Sequence, residues 1–422
     1  MSAKKQNITK NFSINQYSNC EDSFFDRQER ISGWDQEKLF NAKVMVAGAG
    51  ATGNETLKNL ALMGIGNIFI VDFDTVSKSN LSRTILFRKS DTGKKKSEIA
   101  ANRIKDLALA PNFNVDYFHG DIVWELGTGI FREMDIVLGC LDNVETRFFI
   151  NRQCWLAETP WIDCGIFELA GHVCVYSPPD LPCYQCNATK EQIIASRVRY
   201  SCDSFKRAVI NEGKVPTVQT TSALVSAIQV QEAIKILCGH KIPGGKKLFF
   251  QGTTNDYDTI NLRPNKNCIG HVSYPEIIPI PISSHDTLKN FLEYICQNEF
   301  SGSGASLDFS GDRTFVISTA CRYCSQKITF YKPAFKILDT DTICQSCKTN
   351  NYKNSKNSDS DHVTKKTIAK FNLEDTEQKV LDMRLQEIGI PLMHVVAVID
   401  KNNVYKYYEL SDDRPFIFTN IT

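Results

Sequence analysis

Lys43-Val-Met-Val-Ala-Gly48-Ala-Gly50-Ala-Thr-Gly53 is an apolar, β-branched run that stops at a cluster of glycines. Lys43–Ala47 reads as a buried strand. Thr52 to Met63 then takes helical spacing (Leu57, Leu60, Ala61) until Gly64-Ile-Gly66 ends it. A GxGxxG between strand and helix lets backbone approach a phosphate closely. The helix N-terminus adds free N–H groups and a positive dipole end. Asp72 lies 22 residues beyond Gly50, after a second strand at Asn67–Val71. An acid there can bind ribose hydroxyls.

Working outward, Gly93 to Leu109 reads as a helix with Ile99, Ile104 and Leu107 on one face. Asn114–Phe118 and Met134–Leu138 read as further strands. Strands alternating with helices predict parallel βαβ units and a doubly wound, Rossmann-like α/β domain. Trp161–Gly165 and Gly171–Tyr176 extend it, the second as an antiparallel strand, and Thr221–Leu237 is a long core helix. Upstream, residues 26–40 read as a helical approach segment. The expected organisation is a flexible N-terminus (1–23), the α/β domain (24–275), a proline-punctuated linker (275–282) and a smaller α+β domain (283–422). Within the last lie a helix (Asp286–Cys296), a Gly/Ser hinge (301–304) and a disordered loop (349–361).

Composition narrows the function. The 422 residues suggest two or three domains. Lys+Arg number 49 and Asp+Glu 48, so the net charge of +1 gives no support to a broad nucleic-acid surface. No apolar run approaches the roughly 18 residues of a membrane span. The N-terminal Met-Ser-Ala-Lys-Lys-Gln-Asn-Ile lacks the apolar core of a signal peptide. The expectation is a soluble, cytoplasmic protein with neither membrane nor nucleic-acid partner. Fifteen cysteines, an odd number without a secretion signal, favour metal or thiol chemistry over disulfides.

The glycine loop alone does not separate NAD from ATP. Asp72-Phe-Asp74, Asn80…Arg83, Gly93-Lys-Lys-Lys96 and Asp142-Asn143…Arg147 do. A dinucleotide dehydrogenase needs no such cationic cluster. A nucleoside triphosphate needs Arg and Lys to neutralise phosphate, and a carboxylate can hold Mg²⁺. Taken singly, Lys96 reads as a solvated helix residue and Asp142-Asn143 as a helix cap; their ordered co-occurrence carries the weight.

In these motifs the chain resembles the ThiF/MoeB/HesA group of ubiquitin-activating-type enzymes over about residues 24–275. Arg27-Gln28, ahead of Trp34, resembles the N-terminal Arg-Gln of that group. The resemblance implies ATP–Mg²⁺ binding and adenylation of the C-terminal glycine of a ubiquitin-like protein. It implies that Gly48, Gly50 and Gly53 form the nucleotide loop, with Asp74 beside Asp72 in the nucleotide site. It also implies that Asp72 holds the ribose, that Asn80, Arg83 and Lys96 contact phosphates, and that Asp142 binds Mg²⁺. Arg27 would reach in from the partner subunit of a homodimer.

Cys183-Tyr-Gln-Cys186 and Cys268-Ile-Gly-His271 are separated by 81 residues, so spacing alone proves little. Zn²⁺ accepts three thiolates and an imidazole. The resemblance implies a split four-ligand zinc site here, usually all cysteine, from which His271 departs. Cys321-Arg-Tyr-Cys324 and Cys344-Gln-Ser-Cys347, 19 residues apart, form a zinc-ribbon pattern (321–347) in which each turn presents two thiolates to one ion.

Cys140, Cys154, Cys164, Cys174 and Cys238 lie in apolar segments and read as inert core. Cys202 is the candidate nucleophile. Arg197, Arg199, Lys206 and Arg207 surround it and favour thiolate, which could carry an acyl group as a thioester. Many members of the group keep their thiol nearer a Glu-x-Gly-like turn, here Asn211-Glu-Gly213, where Val209 stands.

Leu385–Pro391, His394–Ile399 and Tyr408–Leu410 give a helix-then-strands order. That order resembles the ubiquitin-fold domain with which activating enzymes recruit conjugating enzymes. The leading function is thus activation of a ubiquitin-like protein with thioester capture and transfer to a conjugating partner. The alternatives are adenylation of a sulfur-carrier protein or small carboxylate, for sulfur transfer or amide formation, and a non-catalytic ATP-binding scaffold.

Overall fold

The computed structural model describes residues 23–179, 182–193, 216–240, 245–300, 304–309, 313–321, 324–342, 344, 346 and 363–422. Cys20, Cys202 with its four cations, Val209, the turn at 211–213, residues 301–303 of the Gly/Ser hinge, Cys347 and the loop 349–361 lie outside these.

Eight strands form one sheet in the order β3-β2-β1-β4-β5-β6-β7-β8. They are β1 (Lys43–Ala47), β2 (Asn67–Val71), β3 (Asn114–Phe118), β4 (Ile136–Gly139), β5 (Trp161–Phe167), β6 (Ala170–Tyr176), β7 (Lys246–Gln251) and β8 (Asp256–Asn261). The first five run parallel; β6 to β8 add on antiparallel. In β1, Val44 and Val46 join one apolar core and Met45 and Ala47 the other. A central strand buried on both faces loses the polar/apolar alternation, which is why it reads as a continuous apolar run.

On the first face lie α3 (Ala51–Met63), α4 (Lys96–Lys105) and α8 (Gln219–Leu237). On the second lie α5 (Ile122–Glu125), α6 (Thr128–Arg132) and α7 (Val144–Leu156). The approach segment is not one helix. It is α1 (Asp26–Glu29) and α2 (Gln36–Asn41), with Gly33 at φ +79° between them. Among the described residues no helix is long and apolar enough to cross a membrane.

A second sheet has the order β14-β10-β15-β16-β9. Its strands are β9 (Ile278–Ile280), β10 (Ala305–Asp308), β14 (Lys370–Phe371), β15 (Val395–Asp400) and β16 (Tyr405–Leu410), with α9 (Leu288–Asn298) packed against it. The stretch read as a linker therefore supplies a strand: β9 pairs parallel with β16. Three further strands, β11 (Phe315–Cys321), β12 (Lys327–Pro333) and β13 (Val363–Ile368), make a separate sheet carrying Cys321 at its end.

The C-terminal residues return to the first sheet. Leu392, Met393, Ile417, Phe418 and Ile421 share a core with Met45 and Phe69. Glu409 pairs with Arg132, and Arg414 with Glu133. Asp116 on β3 accepts hydrogen bonds from Thr419 Oγ1 at 2.7 Å and from the Asn420 and Ile421 N–H groups at 2.9 Å. Burial alone would raise this carboxyl, but these donors hold it below the usual range. A lowered folded-state value contributes stability above the unfolded value of about 3.9 and loses it as pH falls through the folded one. Denaturant unfolding between pH 7 and pH 3 is expected to show a shallower acid loss for Asp116→Asn than for wild type. Parallel curves would show that the tail does not hold this carboxylate.

Candidate functional site

In the order β3-β2-β1-β4-β5 the chain leaves β1 one way and continues from β4 the other. Between these two strands the loops diverge and open a crevice at the strands' C-terminal ends, the place where open α/β sheets bind ligands. A cleft of ≈ 480 Å³ lies there, lined by Gly48, Gly50, Asp72, Asp74, Asn80, Arg83, Lys96 and Asp142.

The glycine loop is sterically required. Gly48 has φ +100°, and a Cβ on it would sit 2.4 Å from the Cys140 carbonyl oxygen. A Cβ on Gly53 would sit 2.0 Å from the Gly48 oxygen. The loop thus folds tightly onto the end of β4 and starts α3 at Ala51, aiming the helix N-terminus into the cleft. Asn54 locks it, with Nδ2 donating to the Ala49 and Gly50 carbonyls and Oδ1 accepting from Leu86 N–H.

Asp72, just past β2, accepts from the Ala49 and Asp74 N–H groups at 2.7 Å each. Burial pushes its carboxyl up against the pull of Lys96 and of those two donors. Lys96 opens α4, is buried, and reaches Asp74 at 2.7 Å. It is not the solvated helix residue that its isolated pattern suggests. Arg83 donates to Thr217 Oγ1 at 2.6 Å, tying the 78–84 turn to the approach of α8. Asn80 is buried with Oδ1 accepting from Ser77 N–H, so its NH₂ is the end it can offer. Asp142 is exposed on the opposite rim, and Asn143 caps α7 by accepting from Thr146 N–H.

Arg27 is not in this cleft. Its side chain is 93% exposed. It lies beyond the C-terminal end of α3, where Phe25 packs at Gly64, while the glycine loop is at the other end. Thirteen helical residues span about 20 Å, so Arg27 cannot serve its own chain's cleft.

Sequence reading passed over Asp163 and His172 at the far wall, and read Cys140 and Cys164 only as core. Asp163 on β5 is fully buried, accepting from Arg147 Nε at 2.9 Å and lying 3.3 Å from His172 Nε2 on β6. Gly165 makes the room: a Cβ there would meet His172 at 2.5 Å and Arg147 at 3.1 Å. Cys140 and Cys164, both buried, also line the cleft. A glycine facing a histidine across paired strands was the available signal, but the pairing of β5 with β6 was needed to read it.

Two thiol clusters fit metal. Cys183, Cys186, Cys268 and His271 have ligand atoms within 4.8 Å of one another. Cys183 Sγ is 3.8 Å from Cys186 Sγ and 3.6 Å from Cys268 Sγ. His271 Nε2 is 3.2 Å from Cys186 Sγ. Four thiolates at about 2.3 Å from Zn²⁺ stand about 3.8 Å apart, so the spacing suits a tetrahedral ion. His271 stacks on Trp155 (4.5 Å between centroids, 12°), which orients the ring. Burial and the sulfurs of Cys186 and Cys268 push the Cys183 thiol up, so ionising the cluster needs a cation beside it. Cys321, Cys324 and Cys344 form the second cluster, Cys324 and Cys344 lying 3.4 Å apart.

A model of the ThiF family matches residues 25–270. The chain belongs to the ThiF family. Among ThiF relatives, it is 36% identical to SUMO-activating enzyme subunit 2 of Dictyostelium discoideum over 166 residues, 39% of this chain and 25% of that protein. It is 30% identical to the adenylyltransferase and sulfurtransferase MOCS3 of Drosophila willistoni over 247 residues, 57% of this chain and 51% of that protein. The chain thus spans a quarter to about half of the length of these relatives. The structure of E. coli MccB with MccA-N7isoASN shares the fold, with TM-score 0.50 and 21% identity over 61% of this chain and 76% of that one.

Proposed function

We propose that this ThiF-family chain is an ATP-dependent activating enzyme. It joins the C-terminal carboxylate of a ubiquitin-like protein ending in glycine to AMP, holds the acyl group as a cysteine thioester, and passes it to a conjugating partner. The observation that carries the adenylation step is the single cleft that gathers the glycine loop, Asp72, the Asn80/Arg83/Lys96 cations and donors, and Asp142. A carboxylate is a poor acyl donor. Its oxygen attacks the α-phosphorus, pyrophosphate leaves, and the mixed anhydride now has a good leaving group. That displacement needs positioning and charge neutralisation more than covalent help. Asp72 orients the ribose, the backbone N–H groups of the loop and Arg83 hold the phosphates, and Lys96, steadied by Asp74, adds charge. Mg²⁺ would supply counter-charge to the phosphates, with Asp142 as its protein ligand. Arg27 acts in the cleft of a second copy, which makes the active form a homodimer in a reducing, cytoplasmic setting. The names of the SUMO-activating and MOCS3 relatives support adenylation of a ubiquitin-like or sulfur-carrier protein. The helix-covered C-terminal sheet supports a ubiquitin-fold-like docking unit for the conjugating partner. The MOCS3 likeness favours, as second reading, hand-over of the adenylate to sulfur.

ATP–pyrophosphate exchange with candidate glycine-ending proteins tests the first step, and intact-mass measurement tests the second. Cys202→Ala is expected to keep exchange and lose the thiol-sensitive adduct. An adduct that persists moves the carrier role to another cysteine. Exchange without any wild-type adduct moves the sulfur-transfer reading ahead.

Zinc is assigned to both thiol clusters, with Cys347 completing the second. The full chain is expected to contain about two zinc ions, one per four-ligand site. By elemental analysis, Cys344→Ser should lose one and Cys186→Ser the other. A single ion in wild type would remove the Cys183/Cys186/Cys268/His271 assignment.

A further inference from the structure

Away from the nucleotide cleft, a second hollow of ≈ 300 Å³ opens where α7 meets the C-terminal sheet. Arg152 of α7 stands exposed at its mouth, and Arg313 and His394 line it from the segments ahead of β11 and β15. His394 is 9% exposed, and its Nδ1 is buried without a hydrogen-bond partner among the described residues. Buried polar atoms are normally matched, so an orphan in the wall of a cavity points to a group that enters it. Arg313 is held in place: it donates to the Gly389 carbonyl at 2.6 Å and lies 5.8 Å over the Trp124 ring. Asp308 shares the wall, but its charge is met by Lys370 at 3.6 Å and by the Tyr405 hydroxyl at 2.7 Å. Burial, then Arg313 and Arg152, press the His394 imidazole toward its neutral form. The hollow is therefore lined by two guanidinium groups and by a neutral imidazole whose Nδ1 has no partner among the described residues. Leu156 and Val396 make its wall partly apolar.

We propose that this hollow binds a small organic oxyanion, a carboxylate or phosphate carried on an apolar body. The anion sits between Arg313 and Arg152 and accepts from His394 Nδ1–H, while the body lies against Leu156 and Val396. Arg guanidinium groups favour such oxyanions through charge-assisted, often bidentate bonds. None of these residues lines the nucleotide cleft, so the site stands or falls independently of the adenylation reading.

The test is a titration of the full chain, carrying ¹³C at histidine Cε1, with benzoate, phenyl phosphate and inorganic phosphate. The chain has 7 histidines, and His394→Gln assigns the one signal that matters. A saturable shift of the His394 signal with benzoate or phenyl phosphate is expected, with inorganic phosphate binding more weakly. The aromatic probe that binds tighter identifies the oxyanion. Arg152→Met, at the exposed mouth, should weaken binding roughly tenfold while the chain stays folded. His172 lines the nucleotide cleft and reports binding there separately. The proposal is overturned if no histidine moves, if only His172 moves, or if Arg152→Met binds like wild type. Inorganic phosphate binding as tightly as the aromatic probes would overturn the apolar body.

Discussion

Arg83→Ala and Asp142→Ala are each expected to lower substrate-dependent ATP–pyrophosphate exchange by about 10²- to 10³-fold, the range seen when one preorganised charge opposite a developing anion is removed. The two act from opposite rims. Arg83 is held over the cleft by Thr217, so its guanidinium is already in place when the phosphates arrive. Removing it takes away a charge that cost no reorganisation to position. Asp142 is exposed and free of any ion pair among the described residues, as suits a carboxylate waiting for a cation. Because Asp142 is exposed and Arg83 half-buried, neither truncation empties the core, and both variants should unfold at nearly the wild-type temperature. A folded variant with lost exchange separates chemistry from stability. Full exchange by both variants would remove the nucleotide-site assignment.

The second large effect concerns a residue that lines neither cleft. Phe418→Ala is expected to destabilise the chain by about 3–5 kcal/mol, the usual range for a buried Phe truncation. Phe418 is 5% exposed and meets Phe69 of β2 edge-on, with ring centroids 5.2 Å apart. Phe69 belongs to the strand that leads to Asp72. Losses of that size consume much of the 5–15 kcal/mol that holds a typical domain together. Deleting residues 414–422 would also remove Ile417 and Ile421 from the same core and the donors that surround Asp116. The truncated chain should therefore expose the first sheet to hydrogen exchange rather than merely release the C-terminal one. Urea unfolding of Phe418→Ala, with exchange followed over β2 and β3, checks both statements. Wild-type stability in Phe418→Ala would mean that the tail does not seal the first sheet.

Much of the nucleotide-binding half was legible because its information is local. A strand, a glycine loop and a helix follow one another within Lys43–Met63, and each stops where its own residues stop it. Strands β1, β2 and β3 fall where their apolar runs fall. The acid after β2 and the acid after β4 line one cleft because parallel strands deliver their C-terminal ends to one edge. Other features needed distant partners. Ile278-Pro-Ile280 looks like a linker because three residues with a central proline form no element alone. It becomes β9 only because β16, far along the chain, offers a partner. His271 lies 85 positions beyond Cys186, and only the fold brings its Nε2 to 3.2 Å from that sulfur.

The sequence by itself determined the α/β class, the glycine loop, and the order of acids and cations that a nucleotide triphosphate needs. Each depends on neighbours in the chain or on the fixed geometry of a βα unit. Only the tertiary structure decided the rest. It set Asp163 beside His172 and Arg147 behind the cleft wall, left His394 Nδ1 without a partner among the described residues in the hollow between α7 and the C-terminal sheet, and folded residues 414–421 onto β2 and β3. These contacts join residues from 9 to 305 positions apart, on different elements. Burial and hydrogen-bond satisfaction select such pairs in three dimensions, and no local periodicity encodes them.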